Sequence, residues 1–320
     1  MKRPAALSES HNRRFQTLKK QLLTACAIGD VNGGKLVARD LKNLLLPTGH
    51  HTKYYEMLLN LCEMLILKKE YGTANGYLER IVSTTKESTR LFQEASFLLA
   101  IGKMHSHDLD GAEKYLRASL HSTAIKDPTR RKEFLKRISQ RFEEESLIAS
   151  LGAGDVSIDI DKIIAQVEKN FVSNISDDEI MGEIGRVVPQ QALEFVKRMS
   201  DMANRQLTHH ERKMLPPPPA SKDIIRIGQT TFAALSRRLW LSICPPESKF
   251  QMALDAAQDP KTIVIGIVTE LTSQGFGFPA TMALAGISTY LLKITINGYC
   301  KKFQPTPIMK HRYERTKNEP

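Results

Sequence analysis

The sequence lacks the short patterns that are typical of metal proteins and of hydrolases. Its four cysteines, Cys26, Cys62, Cys244 and Cys300, form no C-x-x-C pair and have no histidine at metal-ligand spacing. We therefore predict four buried thiols in a reducing compartment. No Ser-His-Asp set, carboxylate pair or zinc pattern stands out, so we expect no cofactor and no metal. An enzyme is the less favoured class.

A secretory signal is also missing, because the basic N-terminus MKRPAALSESHNRR contains no apolar core. We therefore expect a cytoplasmic location. The chain has 41% apolar and 25% charged residues, which is the composition of an ordinary folded protein and excludes the disordered and collagen-like classes.

Acidic residues are too few to balance the lysines and arginines, and the formal charge is +11. The excess lies at the two ends. Residues 1–20 have six Lys/Arg and one acid, and residues 301–320 have six Lys/Arg and two acids, which leaves a net charge of two for residues 21–300. Basic ends make nucleic acid a possible partner, but solvated tails are the more ordinary interpretation, and nucleic acid is not favoured.

A repeated segment indicates the fold of the first half. The stretch LLTACAIGDVNGGKLVARDL at 22–41 aligns with YGTANGYLERIV at 71–82 and with LDGAEKYLRASL at 109–120, at separations of 40 and 38 residues. An apolar-periodic segment precedes each copy, so the unit is helix, turn, helix, used three times. Gly34, Ala74 and Ala112 occupy one slot, where we expect the second helix to pass closest to the first.

The third copy, LAIGKMHSHDLDGAEKYLRASL, resembles the helical hairpins of tetratricopeptide repeats most clearly, and the resemblance covers about residues 12–121. It implies a right-handed array of antiparallel helix pairs whose concave groove holds a peptide or a partner helix. Such a groove would be lined by the first helices of the hairpins. The partner-binding residues that we expect are Lys53, Glu56, Asn60, Glu63 and Lys103, with Arg130, Arg131 and Arg137 as an adjoining basic patch.

The opening stretch also has the glycine-rich spacing of a phosphate-binding loop. However, Lys35 is followed by Leu36 instead of the hydroxyl residue that would hold Mg²⁺, and the preceding segment is helical in period. We therefore predict a turn between helices, with Lys35 as an outward-pointing side chain.

The whole chain is predicted to be all-α, an antiparallel helix-hairpin repeat array followed by a helical C-terminal domain. A helix that starts at Asp127-Pro128 has seven Lys/Arg and two acids over 126–141, which opposes its macrodipole. Either salt bridges to neighbouring helices or an acidic partner would stabilise these cations. The predicted domains are a repeat domain (1–150), an acidic helical extension (151–214), a polyproline linker (215–221), a helical C-terminal domain (222–304) and a basic tail (305–320).

An uncharged run from Leu271 to Leu292 is long enough to span a bilayer. The GFGFP turn inside it favours a buried hairpin instead, with 261–273 packed on 279–303. A membrane-associating or oligomerising role for 262–300 stays open.

Other candidate residues have ordinary structural explanations. Arg205 and His210 have an R-x4-H spacing that resembles HEPN-type ribonucleases, which implies RNA cleavage as an alternative function. We interpret His105, His107 and Asp108 as an interhelical loop. Asp155, Asp159 and Asp161 have the carboxylates to ligate a cation, but two of them lie where a helix begins, so we interpret them as capping residues. Tyr54 and Tyr55 are interpreted as core. The leading prediction is a non-enzymatic adaptor or scaffold in the cytoplasm that recognises an acidic or helical segment of another protein.

Overall fold

The computed structural model describes residues 4–151, 159–213, 215, 223–246, 248–256, 259–273, 281–305 and 308. These residues form sixteen helices and no strand, so the prediction of an all-α fold is confirmed. The chain folds into two compact units, one of residues 1–135 with 306–320 and one of residues 136–305.

The first unit consists of three consecutive helix pairs and the start of a seventh helix. Within each pair the two helices pack on each other, and each pair packs on the next. The helices are α1 (Glu9–Ile28), α2 (Val31–Leu45), α3 (His51–Leu67), α4 (Tyr71–Thr84), α5 (Arg90–His105), α6 (Leu109–His121) and α7 (Pro128–Ser150), which continues into the second unit.

The turns inside the three pairs have one geometry at the predicted separations of 40 and 38 residues. In each turn a residue with positive φ ends the first helix, and the N–H of the next residue donates to a carbonyl five positions back, which closes the helix end. Asp30 and Asp108 then cap the second helix by accepting the N–H of Gly33 and Gly111, both at 2.9 Å. The positive-φ residues are Gly29, Lys69 and His107.

The slot of Gly34 is close-packed, but its main neighbour is not the one predicted. A Cβ built on Gly34 would lie 2.9 Å from Leu61 and 3.2 Å from Met64, which belong to the first helix of the next pair. Ala74 and Ala112 are fully buried. At Gly34, therefore, the small residue allows one hairpin to approach the following hairpin.

The glycine-rich stretch at 29–35 is a turn between α1 and α2, as predicted. Lys35 points toward the next pair, where its Nζ lies 3.2 Å from the Glu70 carboxylate. The segment that ends just before Gly29 is the helix α1, whereas a phosphate-binding loop of this type follows a strand.

The second unit begins within α7 and contains the remaining helices. They are α8 (Ile160–Val172), α9 (Asp177–Arg186), α10 (Gln190–Arg205), α11 (His209–Lys213), α12 (Ile224–Ile243), α13 (Lys249–Ala256), α14 (Pro260–Ser273), α15 (Thr281–Ile294) and α16 (Ile296–Lys302).

The tightest crossing in the second unit joins α9 and α12. Cβ atoms built on Gly185 and Gly228 would lie 1.9 Å from the Ile224 carbonyl oxygen and 1.8 Å from the Met181 carbonyl oxygen. Glycine is required at both positions, because backbone meets backbone there. The predicted boundary at 215–221 thus falls inside this unit, since helices from both sides of it share one core. Prolines 216–219 lie outside the described residues.

The prediction of four thiols is wrong for two cysteines. Cys244 and Cys300 form a disulfide with Cα atoms 5.5 Å apart, which joins the end of α12 to α16. Next to it, the Trp240 indole N–H donates to the Cys300 carbonyl at 2.8 Å. Cys26 and Cys62 are outside this disulfide, and Cys62 is buried.

The apolar run near the C-terminus lies in the core of the second unit. All side chains of α15 from Ala283 to Leu291 are buried, and α14 packs on α15 as the predicted hairpin requires. The connecting residues 274–280 lie outside the described part. Among the helices that the structure describes, none combines the length and hydropathy needed to cross a bilayer.

Candidate partner-binding surface

The predicted groove residues of α3 form one half-buried stripe, and several of them make contacts within the first unit. Lys53 Nζ lies 5.1 Å from the centroid of the Phe15 ring. Asn60 donates its side-chain N–H to the Glu56 carbonyl at 3.0 Å. Glu56 and Glu63 are half-buried on the same face. The structure therefore places these four residues along one face of α3, but all four take part in interactions within the protein.

The fifth groove residue, Lys103, is held by two carboxylates. Its Nζ lies 3.0 Å from Glu79 and 3.5 Å from Asp108, and the hydrogen bond to Glu79 raises the pKa of Lys103. Residues Phe92 to Gly102 of α5 are buried, so this part of the helix presents no open face that could line a groove.

The three arginines of the predicted basic patch have different environments. Arg131 donates to the Leu120 carbonyl, which ties α7 to the end of α6. Arg137 is half-buried and belongs to the second unit. Arg130 is exposed and lines a cleft, which makes it the patch residue that can meet a partner.

This cleft lies between the α4–α5 loop and the α6–α7 loop, and we call it the loop cleft. It has a volume of about 420 Å³, and the α5 and α7 helices both begin at its edge. Thr89 caps α5 by accepting the Phe92 N–H, and Asp127 accepts the Arg130 N–H at 2.8 Å. The lining residues are Ser88, Arg90, Thr123, Ala124, Ile125, Lys126, Asp127 and Arg130.

A second cleft of about 290 Å³ adjoins the loop cleft at Thr123, and we call it the α6 cleft. Lys114, Arg117 and His121 line it together with Glu87. The two clefts combined carry five lysines and arginines and two carboxylates, so the surface around these loops is basic.

The three cations that line the loop cleft have no carboxylate partner within the described residues. Arg90 is half-buried, whereas Lys126 and Arg130 are exposed, and none of the three makes an ion pair there. Arg117 lies 3.5 Å from Glu113 on its own helix. The Asp127 carboxylate serves as a helix cap. The loop cleft therefore presents positive charge that is available to an anion.

Sequence reasoning found Arg130 but missed Arg90, Lys126, Lys114 and Arg117. Arg90 and Lys126 are 36 positions apart and lie at the ends of two different loops. The signal that could have found them is the repeat itself, because successive hairpins bring the loops that follow their second helices to the same side of an array.

The strongest concentration of buried charge is in the second unit. The Glu145 carboxylate lies 3.0 Å from Arg141 and 3.1 Å from Arg238, and all three side chains are at most 8% exposed. Beside them, Arg237 donates to Glu144 at 2.9 Å. Arg141 of the cationic helix α7 thus pairs with Glu145 one turn further along the same helix, whereas the first of the two interpretations required a salt bridge to a neighbouring helix.

Glu143 lies next to this network and is mostly buried. Burial raises its pKa to about 7, and the opposing effects of the Arg226 charge and of a hydrogen bond with Ser200 are smaller. Since the folded state then holds a proton that the unfolded state loses near its ordinary pKa of 4.5, stability is lost as pH rises from 4.5 to 7.

We expect Glu143→Gln to remove this pH dependence. Between pH 4.5 and pH 8 the free energy of unfolding of the wild type should fall by about 2–3 kcal/mol relative to the variant. Urea titrations followed by the fluorescence of Trp240, the sole tryptophan, measure this difference. Glu194→Gln, at an exposed carboxyl of α10, is the control, and an equal effect in both variants would contradict the expectation.

The residues of the ribonuclease alternative are both exposed. Arg205 ends α10, and His210 lies in the single turn of α11, which begins with a reciprocal cap between Thr208 and Glu211. A capping motif is an ordinary reason for the sequence THHE. The structure thus gives Arg205 and His210 no common buried site, and RNA cleavage stays a prediction.

Of the other candidate residues, His107 and Asp108 lie in the predicted interhelical turn, whereas His105 is the last residue of α5. His105 stacks on Tyr71 at 4.6 Å, and Asp159 caps α8. Burial raises the pKa of Tyr54 to about 12, as expected for a core residue. Asp155 lies outside the described residues. Within the described part of the chain, no three His, Cys, Asp or Glu side chains form a group that could hold a metal ion.

Comparison of the chain with protein-family models, with curated proteins and with solved structures finds no match.

Proposed function

We propose that this protein is a non-enzymatic protein-binding adaptor whose first unit holds an acidic segment of a partner protein against the loop cleft and the α6 cleft. The observation that carries the proposal is the excess of five cations over two carboxylates around these clefts. The three of those cations that line the loop cleft have no ion pair in the described structure.

Electrostatic attraction favours an acidic segment at these clefts. Cations that share a cleft repel each other, and an acidic segment bound there offsets this repulsion because it attracts each of them. A cleft lined by charges of one sign also concentrates oppositely charged ligands and speeds their association. The surface contacts are partly solvated, so we expect binding to weaken with added salt.

The test is the binding of a fluorescent oligoglutamate peptide to the full chain. The triple variant Arg90→Glu, Lys126→Glu and Arg130→Glu should lose binding, because it reverses all three cations of the loop cleft. The matched control is a second triple variant, which makes the same change of net charge at exposed positions of α1 and α2. Its substitutions are Arg14→Glu, Lys20→Glu and Arg39→Glu. Thermal unfolding verifies that both proteins fold.

The control variant should bind the peptide nearly as well as the wild type. Equal losses in both triple variants would show that only net charge matters, and no binding by the wild type would also overturn the proposal. A pull-down from cell extract with the same three proteins then identifies partners, of which those lost only with the cleft variant are relevant.

A cytoplasmic location is part of the proposal. The Cys244–Cys300 disulfide counts against it, because cytosolic proteins rarely keep disulfides. Alkylation of the thiols in intact cells followed by mass spectrometry decides the point. Free thiols at both positions would support the cytoplasm, and a fully oxidised pair would contradict it.

A further inference from the structure

We propose that the loop cleft recognises a phosphorylated side chain of the partner, in preference to a carboxylate. The inference rests on the proposed function, because it names the group that the same cleft binds. It is carried by the three cations that line the loop cleft without an ion pair, by the volume of the cleft and by the identity of two of these cations as arginines at helix starts.

The positive charge of the loop cleft favours a phosphate over a carboxylate. Arg90, Lys126 and Arg130 supply three positive charges to a single cleft, and the Asp127 carboxylate accepts the backbone N–H of Arg130. A side-chain carboxylate brings one negative charge, whereas a phosphate brings between 1.5 and two at neutral pH. A phosphate therefore relieves more of the repulsion among the cations than a glutamate does.

The shape of the arginine side chains also favours a phosphate over a carboxylate. The guanidinium of arginine presents a planar fork of donors that pairs with two oxygens at once, and a phosphate has three free oxygens. Two forks, from Arg90 and Arg130, can share one phosphate, but a single carboxylate satisfies only one fork. Lys126 adds a point charge from the loop that precedes α7.

The position of the two arginines at helix starts also favours a bound anion. Cations at the start of a helix oppose the positive end of its macrodipole. Arg90 is the first residue of α5, and Arg130 lies in the first turn of α7. An anion bound between these helix starts interacts favourably with both dipoles and with the cations, so the arrangement that is unfavourable without a ligand becomes favourable with one.

The cleft also has a suitable size. Its volume of about 420 Å³ is within the range of small-ligand sites, so a side chain can enter together with part of its backbone. Ala124 and Ile125 line the cleft between the charged residues and offer apolar contact to the stem of an inserted side chain.

The test compares two fluorescent peptides with the same glycine and serine sequence, one with a central phosphoserine and one with a central glutamate. We expect the full chain to bind the phosphopeptide about tenfold more tightly, which is the effect of one additional charge-assisted hydrogen bond. Equal affinities would overturn the inference.

The double variant Arg90→Lys and Arg130→Lys separates fork geometry from charge. It keeps every positive charge, so it should still bind oligoglutamate, but its preference for phosphoserine should largely disappear. If the preference is unchanged in this variant, the arginine forks do not recognise the phosphate and the inference fails. Oligoglutamate binding that persists in the wild type would leave the proposed function standing in that case.

A phosphate can also come from a lipid headgroup. Phosphatidylcholine vesicles doped with phosphatidic acid serve as competitors of the phosphopeptide. We expect them to compete poorly, because the cleft is recessed between two loops. Displacement of the phosphopeptide by the vesicles at lower phosphate concentration than by free phosphoserine would assign the cleft to a membrane and overturn the inference.

Discussion

Replacing Gly228 with alanine is expected to lower the free energy of unfolding by at least about 3 kcal/mol. The added methyl group would lie 1.8 Å from the Met181 carbonyl oxygen and 3.1 Å from the Gly185 amide nitrogen. Both neighbours are backbone atoms of α9, so no side chain can rotate away. The two helices must separate instead, and tightly packed interiors do not absorb such a shift cheaply. Gly185→Ala should have a similar effect, since its Cβ would meet the Ile224 carbonyl oxygen at 1.9 Å.

Gly182→Ala is the matched control on the same helix. A Cβ at this position has no atom within 4 Å, and alanine favours the helix by about 0.5–1 kcal/mol over glycine. Urea denaturation should therefore show an unchanged or slightly increased stability for Gly182→Ala. If Gly228→Ala and Gly182→Ala behave alike, the close crossing of α9 and α12 is not present in solution.

Arg238→Met is expected to cost about 3–5 kcal/mol. Arg238 is 1% exposed, and its guanidinium pairs with Glu145, which is also buried. Methionine keeps much of the apolar stem but removes the charge, so most of the loss comes from a buried carboxylate left with less compensation. The measurement is urea denaturation followed by Trp240 fluorescence.

The triple variant Arg141→Met, Glu145→Leu and Arg238→Met distinguishes this cause from poor packing. It removes the Glu145 carboxylate together with Arg141 and Arg238, so no charge of this triad remains buried. Its stability should return to within about 1–2 kcal/mol of the wild type, because apolar residues often replace a buried ion network without loss. A triple variant less stable than Arg238→Met would contradict this account.

The repeat in the first half was predictable because its features are determined by residues that are adjacent in the sequence. Asp30 and Asp108 cap helices in the same way, and positive φ recurs at the residue before each of them. These features depend on a few adjacent residues, so a sequence reveals them. The all-α class follows from the same kind of local evidence.

Features that depend on distant residues were not predictable. Cys244 and Cys300 are 56 positions apart, and only the packing of α16 next to α12 brings them within reach. In the same way, the glycines at 185 and 228 lie at one helix crossing, although the prolines that had suggested a domain boundary stand between them in the sequence. Turn-forming residues in a sequence show where a helix ends, but they do not show whether the next helix returns to the same core.

The candidate site was predicted in part for the same reason. Arg130 stood out because its charge is unusual at a helix start, which is a local property. Lys103 looked equally available, yet Glu79 and Asp108 neutralise it in the fold. Whether a cation is paired depends on neighbours that the sequence does not identify, and this distinction moves the proposed site from α3 to the loops.

The most direct test of the proposed site is amide hydrogen exchange of the full chain with and without the oligoglutamate peptide. The account predicts that the peptide slows exchange in residues 85–91 and 122–131, and that α1 and the helices of the second unit are unaffected. Slowed exchange confined to α3, or to residues beyond 136, with no change in the two loops would contradict it.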